Sequence, residues 1–450
     1  MNTRWGPLQN PAWSRTIGPG ALPCGSRLNK PRFFQRPPCS NRRGAVGARI
    51  RIYCHVVCII AVMAPKVNGA SVAGEDWPQW RGSRGDGVSS ESGWRSKFEA
   101  GRPPIRWRQK VGIGYAAVSV NGGKLYTAGW SDGKDVISCL NTDTGERIWT
   151  HEYRAPRFEK NHKGGPAATP AVDDGRVYTL SREALLICLD AQNGEVKWQK
   201  KLNELYRVDP PRWGFAGSPV VHGDMLLVDV GRIIAFDKET GREFWKTRNY
   251  GPAYSTPQPF RTGDRELLAV FPKAGLVILE ASTGREVAAH QWLTSYGVNA
   301  ATPIVDGNRI FISSGYGTGC AMLELTDKGL RVVWENKEMR NQMPTCVLMD
   351  GHLYGFDDKV LKCLDVKKGE RVWAQRGLGQ GALTAAGGKL IIMSEDGELQ
   401  IVDTSPGGVK IEARVKVFNE SHCWVMPVLA YGHIYCRSPG GELVCLNVRP

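Results

Sequence analysis

The side chains best suited to chemistry in this chain stand singly, not in a motif. His162 in EKNHKGG and His422 in ESHCW titrate near neutrality, as a general acid or base must, yet neither has a sequence-evident nucleophile beside it. Loop histidines of this kind are most often solvated, and His151 and His290, next to strand-like runs, read as structural. The chain has twelve cysteines, with no Cys-x-x-Cys, no Cys-x-x-Cys-His and no adjacent pair. Zinc and c-type haem therefore lack their usual sequence support. Asp143, Asp190, Asp237 and Asp365 recur and can be taken for a carboxylate cluster. They are more simply turn residues whose side chains accept backbone amides. No catalytic set and no metal-ligand set emerges.

A second group has the character of a binding surface. Tyr115, Tyr254 and Trp424 offer flat rings, and Asn299 and Gln380 offer amides. They stand just ahead of a recurring module, in a series that runs Tyr115, Ala167, Ala216, Tyr254, Ala300, Met343, Gln380 and Trp424. Asn299 and Gln342 come one position earlier. No acid occupies the series, although Glu420 is close by. Ca²⁺ needs several oxygens, usually carboxylates. Rings with amides suit either a stacking and hydrogen-bonding pocket or plain packing around an axis.

The module that positions these residues repeats along most of the chain. CLNTDTGERIW (139–149), CLDAQNGEVKW (188–198), AFDKETGREFW (235–245) and CLDVKKGERVW (363–373) align without gaps, and weaker copies start at 278, 323 and 401. Each follows a second piece such as TPAVDDGRVYTL (169–180) or TPIVDGNRIFIS (302–313). Alternating runs joined by short Gly turns are hairpin signals. The unit therefore reads as four strands, and neighbouring tryptophans fall 49 (Trp149 to Trp198), 47 (Trp198 to Trp245) and 39 (Trp334 to Trp373) residues apart. Four strands in such a unit is propeller spacing.

Modules begin near 118, 169, 218, 256, 302, 345, 383 and 427, which makes eight. Seven is the alternative, because the copies at 383 and 427 are the most degenerate. The last copy stops at Val448, before its Trp strand, and an unattached strand of that kind stands at the front in PPIRWRQKVG, with Trp107. An all-β propeller over 104–450, with eight four-stranded blades, is thus expected to close by the first strand completing the last blade, which leaves no exposed edge. Trp149, Trp198, Trp245 and Trp373 are expected to be buried between blades. Cys139, Cys188, Cys363 and Cys445 share one repeat position that Ala235 fills elsewhere, so they read as small buried hydrophobes.

The net charge of +15 belongs largely to the front of the chain. Residues 1–73 carry eleven Lys or Arg and no acid, and the remainder holds 48 basic against 44 acidic residues. That balance leaves no basic footprint for nucleic acid. Arg49 and Arg51, the apolar run Ile52 to Ala64 and the small residues after it follow the order of a secretory signal spanning 49–73, with Ser71-Val72-Ala73 as the cleavage site. The run is too short to span a bilayer. The Pro- and Arg-rich stretch 1–45 fits neither a signal nor a core. Residues 74–103 form an extended segment before the propeller, and the mature chain is expected to be periplasmic or extracellular, without a transmembrane segment.

The repeated Asp-x-x-Thr-Gly-x-x-x-Trp pattern resembles the tryptophan-docking motif of pyrroloquinoline-quinone-type propeller repeats, over about 107–448. The segment Asp76-Trp77-Pro78-Gln79-Trp80-Arg81-Gly82 is similar to the opening of secreted bacterial members. The resemblance implies that each Trp stacks on a Gly-containing peptide of the next blade. Its known members include quinone-dependent alcohol dehydrogenases and a lipoprotein of the outer-membrane assembly machinery. The dehydrogenases set an adjacent Cys pair against the quinone and carboxylates on Ca²⁺, and this chain lacks the Cys pair. The lipoprotein needs a Cys at its cleavage site, and none follows the apolar run here. Two functions are expected on these grounds: a non-catalytic binding or scaffold protein for a protein or polymer, with no cofactor, or a quinone-dependent oxidoreductase with an atypical site.

Overall fold

A computed structural model describes residues 74–98, 101–405 and 407–450. The signal-like run and its cleavage site lie outside the described residues. Those residues form eight antiparallel four-stranded sheets arranged as a propeller. Blade 1 consists of Ser119–Asn121, Lys124–Ser131, Lys134–Asn141 and Arg147–Arg154. Blades 2 to 7 follow in the same up-and-down order over 171–201, 220–246, 258–291, 304–336, 347–375 and 381–416. Blade 8 takes its first three strands from 428–447 and its fourth from Ile105–Lys110, which runs antiparallel to Glu442–Asn447. The ring thus closes by exchange of the first strand, with eight blades and not seven.

The middle strands are buried on both faces because each blade lies between two others. Leu186 to Leu189 are all fully buried, whereas the outer strand Val196–Lys201 alternates between half-buried and exposed. The tight turns follow from composition. In the hairpin before Arg176–Leu180, Asp174 and Gly175 both take positive φ, the geometry that matches strand twist in a two-residue turn. Cys139, Cys188, Cys363, Cys445 and Ala235 are all fully buried, and the thiols are free.

Blades meet through their tryptophans. Trp149 donates its indole N–H to the Ala191 carbonyl of blade 2, at 3.2 Å. Its ring covers Gly194, where an added Cβ would come within 2.6 Å of the indole. The same geometry relates Trp198 to Gly241, Trp245 to Gly284 and Trp334 to Gly369. Trp107 lies over Gly145 and donates to the Thr142 carbonyl at 2.8 Å, so the exchanged strand carries the contact across the closure. Trp149 and Trp245 are buried, whereas Trp198 and Trp373 are only half-buried. Arg437 of blade 8 adds a second tie, its buried guanidinium donating to Ala116, Thr127 and Gly112 of the blade 1 region.

The repeated aspartates need one correction. Asp190, Asp237 and Asp365 accept amide hydrogens two residues on, at 2.8 to 3.0 Å. In blade 1 that place belongs to Asn141, which accepts from Asp143 and Thr144. Asp143 is two residues out of register with the others and pairs instead with Arg106 at 3.1 Å.

A ring of hydroxyls ties the inner strands together near the axis. Thr169, Ser218, Thr256 and Thr345 each accept the backbone N–H of the preceding blade's equivalent residue, at 2.9 to 3.1 Å. These residues open the modules, so the recurring Thr-Pro and Ser-Pro steps join blades as well as starting strands.

Residues 74–91 do not trail away from the propeller. They cross one end of its channel and touch every blade. Trp77 exchanges two backbone bonds with Val120, Pro78 accepts from Val172, and the Gln79 side chain accepts from Val221. Arg84 accepts from Gln258, Trp80 donates to Thr302, and Arg81 donates to the Cys346 carbonyl. Val88–Ser89 adds a parallel strand to Gly381–Ala386, and Glu91 accepts from Tyr431 and Gly432. The Asp76 to Gly82 segment therefore seals the channel where the inner strands end.

Candidate functional site

With one end sealed, the channel becomes a cup of about 380 Å³ open at the end where the inner strands begin. All eight positions of the series ahead of the modules line it, one from each blade, and Gln342 joins them. Periodicity thus brings residues from eight distant segments to one wall. Trp80 and Arg81 of the crossing segment lie at the cup as well.

Tyr115 and Trp424 form a stacked pair, with ring centroids 5.8 Å apart and planes 25° from parallel. His162 meets Tyr115 edge-on at 5.3 Å, and His422 leans on Trp424 at 4.6 Å. Across the cup, Tyr254 packs against Trp213. Gln380 is buried on the wall. Asn299 is not a wall residue. It is fully buried and used up inside the fold, donating to the carbonyls of Pro272 and Trp292 and accepting from Ser314 at 2.9 Å. One residue of offset turns an amide from the cup into the interior.

His162 is drawn into the site from a loop, contrary to the solvated reading. Its Nδ1 accepts the Gly164 amide at 2.9 Å, which leaves the proton on Nε2. Burial, with Arg182 and His422 nearby, lowers its pKa to about 4, so the ring is neutral at ordinary pH. Glu420 does not reach the wall. It accepts from Lys163 at 2.6 Å and from Ser438 and Gly440, and these bonds outweigh its burial and hold its pKa down.

The residue that sequence reasoning missed is Arg182. It follows Leu180 at the end of a strand, outside the series, and no spacing marks it. Its side chain is nine-tenths buried on the cup wall, and it donates to the carbonyls of Gly165 and Trp213. No carboxylate pairs with it among the described residues; Asp135 acts on it only through space. Burial lowers its pKa to about 10, which leaves it charged. The cup wall contains no Asp or Glu.

Backbone strain gathers around this mouth. Asn161, Tyr296, Tyr316 and His422 all take positive φ without being glycine. Such residues cost on the order of 1–3 kcal/mol each and persist where the surroundings hold them, often at ligand sites. Tyr296 and Tyr316 contact each other edge-on, and Arg212 lies over the Tyr296 ring.

Residues 133–375 and 357–449 match the sequence family described as outer membrane protein assembly factor BamB. The chain belongs to this family. A BamB of Shewanella oneidensis is 23% identical over 375 residues, which cover 77% of this chain and 89% of the relative. The 1-butanol dehydrogenase (cytochrome c) of Thauera butanivorans is 28% identical, but over only 34% of this chain and 20% of that enzyme. Among solved structures, the quinohemoprotein alcohol dehydrogenase of Comamonas testosteroni superposes with a TM-score of 0.62 at 13% identity, covering 85% of this chain and 81% of that one. At that identity the likeness is one of fold. The cup of this chain lacks the carboxylates that the resemblance implied for a Ca²⁺-held quinone. Its wall has no carboxylate, and no three His, Cys, Asp or Glu side chains come together to hold a metal among the described residues. No described helix is long and apolar enough to cross a membrane.

Proposed function

We propose that this chain is an exported, non-catalytic propeller that acts as a binding or scaffold protein, periplasmic or extracellular, and offers its open face and cup to a protein or polymer partner. The observation that carries this reading is the cup wall itself. Eight blades bring rings, small residues and amides to it, with Arg182, the neutral His162 and Arg81 of the crossing segment, and with no carboxylate to hold a metal. The near-full-length match to an outer membrane protein assembly factor supports the same reading, whereas the butanol dehydrogenase match spans a fifth of that enzyme. Export is supported by the charge, apolar and small-residue order of 49–73.

The second reading, a quinone-dependent oxidoreductase, draws on the shared fold, and fold alone does not confer chemistry. One assay separates the two. Purified mature protein is supplied with pyrroloquinoline quinone, Ca²⁺, an artificial electron acceptor and a panel of alcohols. The expected result is no acceptor reduction above the protein-free blank. Alcohol-dependent reduction that saturates at one quinone per chain overturns the proposal.

A further inference from the structure

We infer that the propeller carries an acid-sensitive joint: a proton on His433 loosens the exchanged strand Ile105–Lys110 from Glu442–Asn447, and the ring opens at the seam between its two chain ends. The inference concerns the closure of the fold and stands apart from the cup and from the reading of the chain as a binding propeller.

The seam is where the ring can part without breaking a hairpin. Seven blades take their four strands from one continuous segment, whereas blade 8 borrows its fourth from the other end of the chain. Detaching that strand gives up one ladder and the contact of Trp107 with Gly145 and Thr142. Every turn stays intact.

His433 lies behind that contact, at the start of the strand His433–Arg437. Its ring centroid is 6.1 Å from that of Tyr435, which in turn is 5.9 Å from that of Trp107. The side chain is fully buried, and neither ring nitrogen has a hydrogen-bond partner among the described residues. In blades 1 and 2 the same register position carries a cation that reaches the next blade. Lys124 donates to the Ala191 carbonyl at 3.3 Å, and Arg176 pairs with Glu239 at 2.9 Å. At the seam the residue in the place of Glu239 is Asp143 of blade 1, and its carboxylate is already taken. Arg106 of the exchanged strand lies 3.1 Å from it and Arg449 of the C-terminal tail 3.9 Å. Glu91 of the crossing segment is likewise spent, on the amides of Tyr431 and Gly432. A protonated His433 therefore has no acceptor here and faces two guanidiniums.

The sign of the response follows. Burial, then the charges of Arg449 and Arg106, lower the His433 pKa from 6.5 to about 4, with Asp143 opposing them. The Tyr435 hydroxyl, pushed far up by burial, stays protonated and adds no charge. With the strand detached, His433 meets water and regains a value near 6.5. Between the two values the open form binds a proton that the closed form does not, so each fall of one pH unit favours opening about tenfold. Above that window this group leaves the closure indifferent to pH.

The test is hydrogen exchange followed by mass spectrometry on the chain from Gly74, at pH 7 and pH 5, with protection corrected for intrinsic exchange rates. In the wild type, protection of the strand Ile105–Lys110 should fall about tenfold or more over this interval. The outer strand of blade 2, Val196–Lys201, has no such joint and should change far less. His433→Met installs the residue that blade 3 carries at this position, Met225, and should abolish most of the fall. Arg449→Met removes one of the two repelling charges and should lessen the dependence on pH. Arg449 is partly exposed near the chain end, so this variant decides if His433→Met does not fold. Three results overturn the inference: no loss of protection at the seam, an equal loss in every blade, or a loss unchanged in the deciding variant.

Discussion

At the scale of single residues, burial sets unusual charge states that sequence position does not reveal. Asp229 ends a middle strand of blade 3 and is buried, with the Gly231 amide as its hydrogen-bond donor at 2.7 Å. Burial lifts its pKa from 3.8 to about 7, more than that one bond offsets. Between those values the folded protein holds a proton that the unfolded chain has released. Stability contributed by this group therefore falls as pH rises across the window and levels off above it. Asp229→Asn keeps the acceptor and removes the titration. Denaturant unfolding of both proteins should show the variant gaining on the wild type from about pH 4 to about pH 8. A gap that does not change with pH contradicts the assignment. His162 and His433, both lowered to about 4 by burial, slope the opposite way, so only the difference between the two proteins isolates Asp229.

At the scale of elements, the repeat was legible because most blades use the same turn and five of them set a Trp over the next blade's Gly. The exchanged strand was legible too: PPIRWRQKVG is a fourth strand without a first three. So was the wall series, since a position fixed in the repeat is fixed relative to the axis. What the sequence did not disclose is what depends on contacts between unrelated segments. Arg182 reaches the cup because the loops at Gly165 and Trp213 offer it carbonyls. Asn299 leaves the cup because Pro272, Trp292 and Ser314 satisfy it. Residues 74–91 carry no repeat at all, so nothing in them announced a seal. Their role is testable by a chain starting at Arg95. It should still form the propeller, since the closing strand Ile105–Lys110 remains, but melt at lower temperature. Loss of Trp77, buried against blade 1, alone costs about 3–5 kcal/mol. An unchanged melting temperature would show the segment to be a surface decoration.

At the scale of the whole molecule, two kinds of aromatic residue divide the work. The tryptophans between blades fill space and bond to the neighbouring blade, so they hold the ring closed. The rings at the mouth are half-buried, and Tyr115 and Trp424 stack on one another at the cup. If that division is right, stability and the cup separate. The direct measurement is thermal unfolding of Trp149→Ala and Trp424→Ala beside the wild type. Trp149 is buried, covers Gly194 and donates to Ala191, so its truncation should cost about 3–5 kcal/mol. Trp424 is half-buried at the mouth with an unpaired indole N–H, so its truncation should cost less than about half as much, in proportion to the smaller area it buries. Equal losses of melting temperature in the two variants would make the mouth rings core packing and contradict the cup as a site.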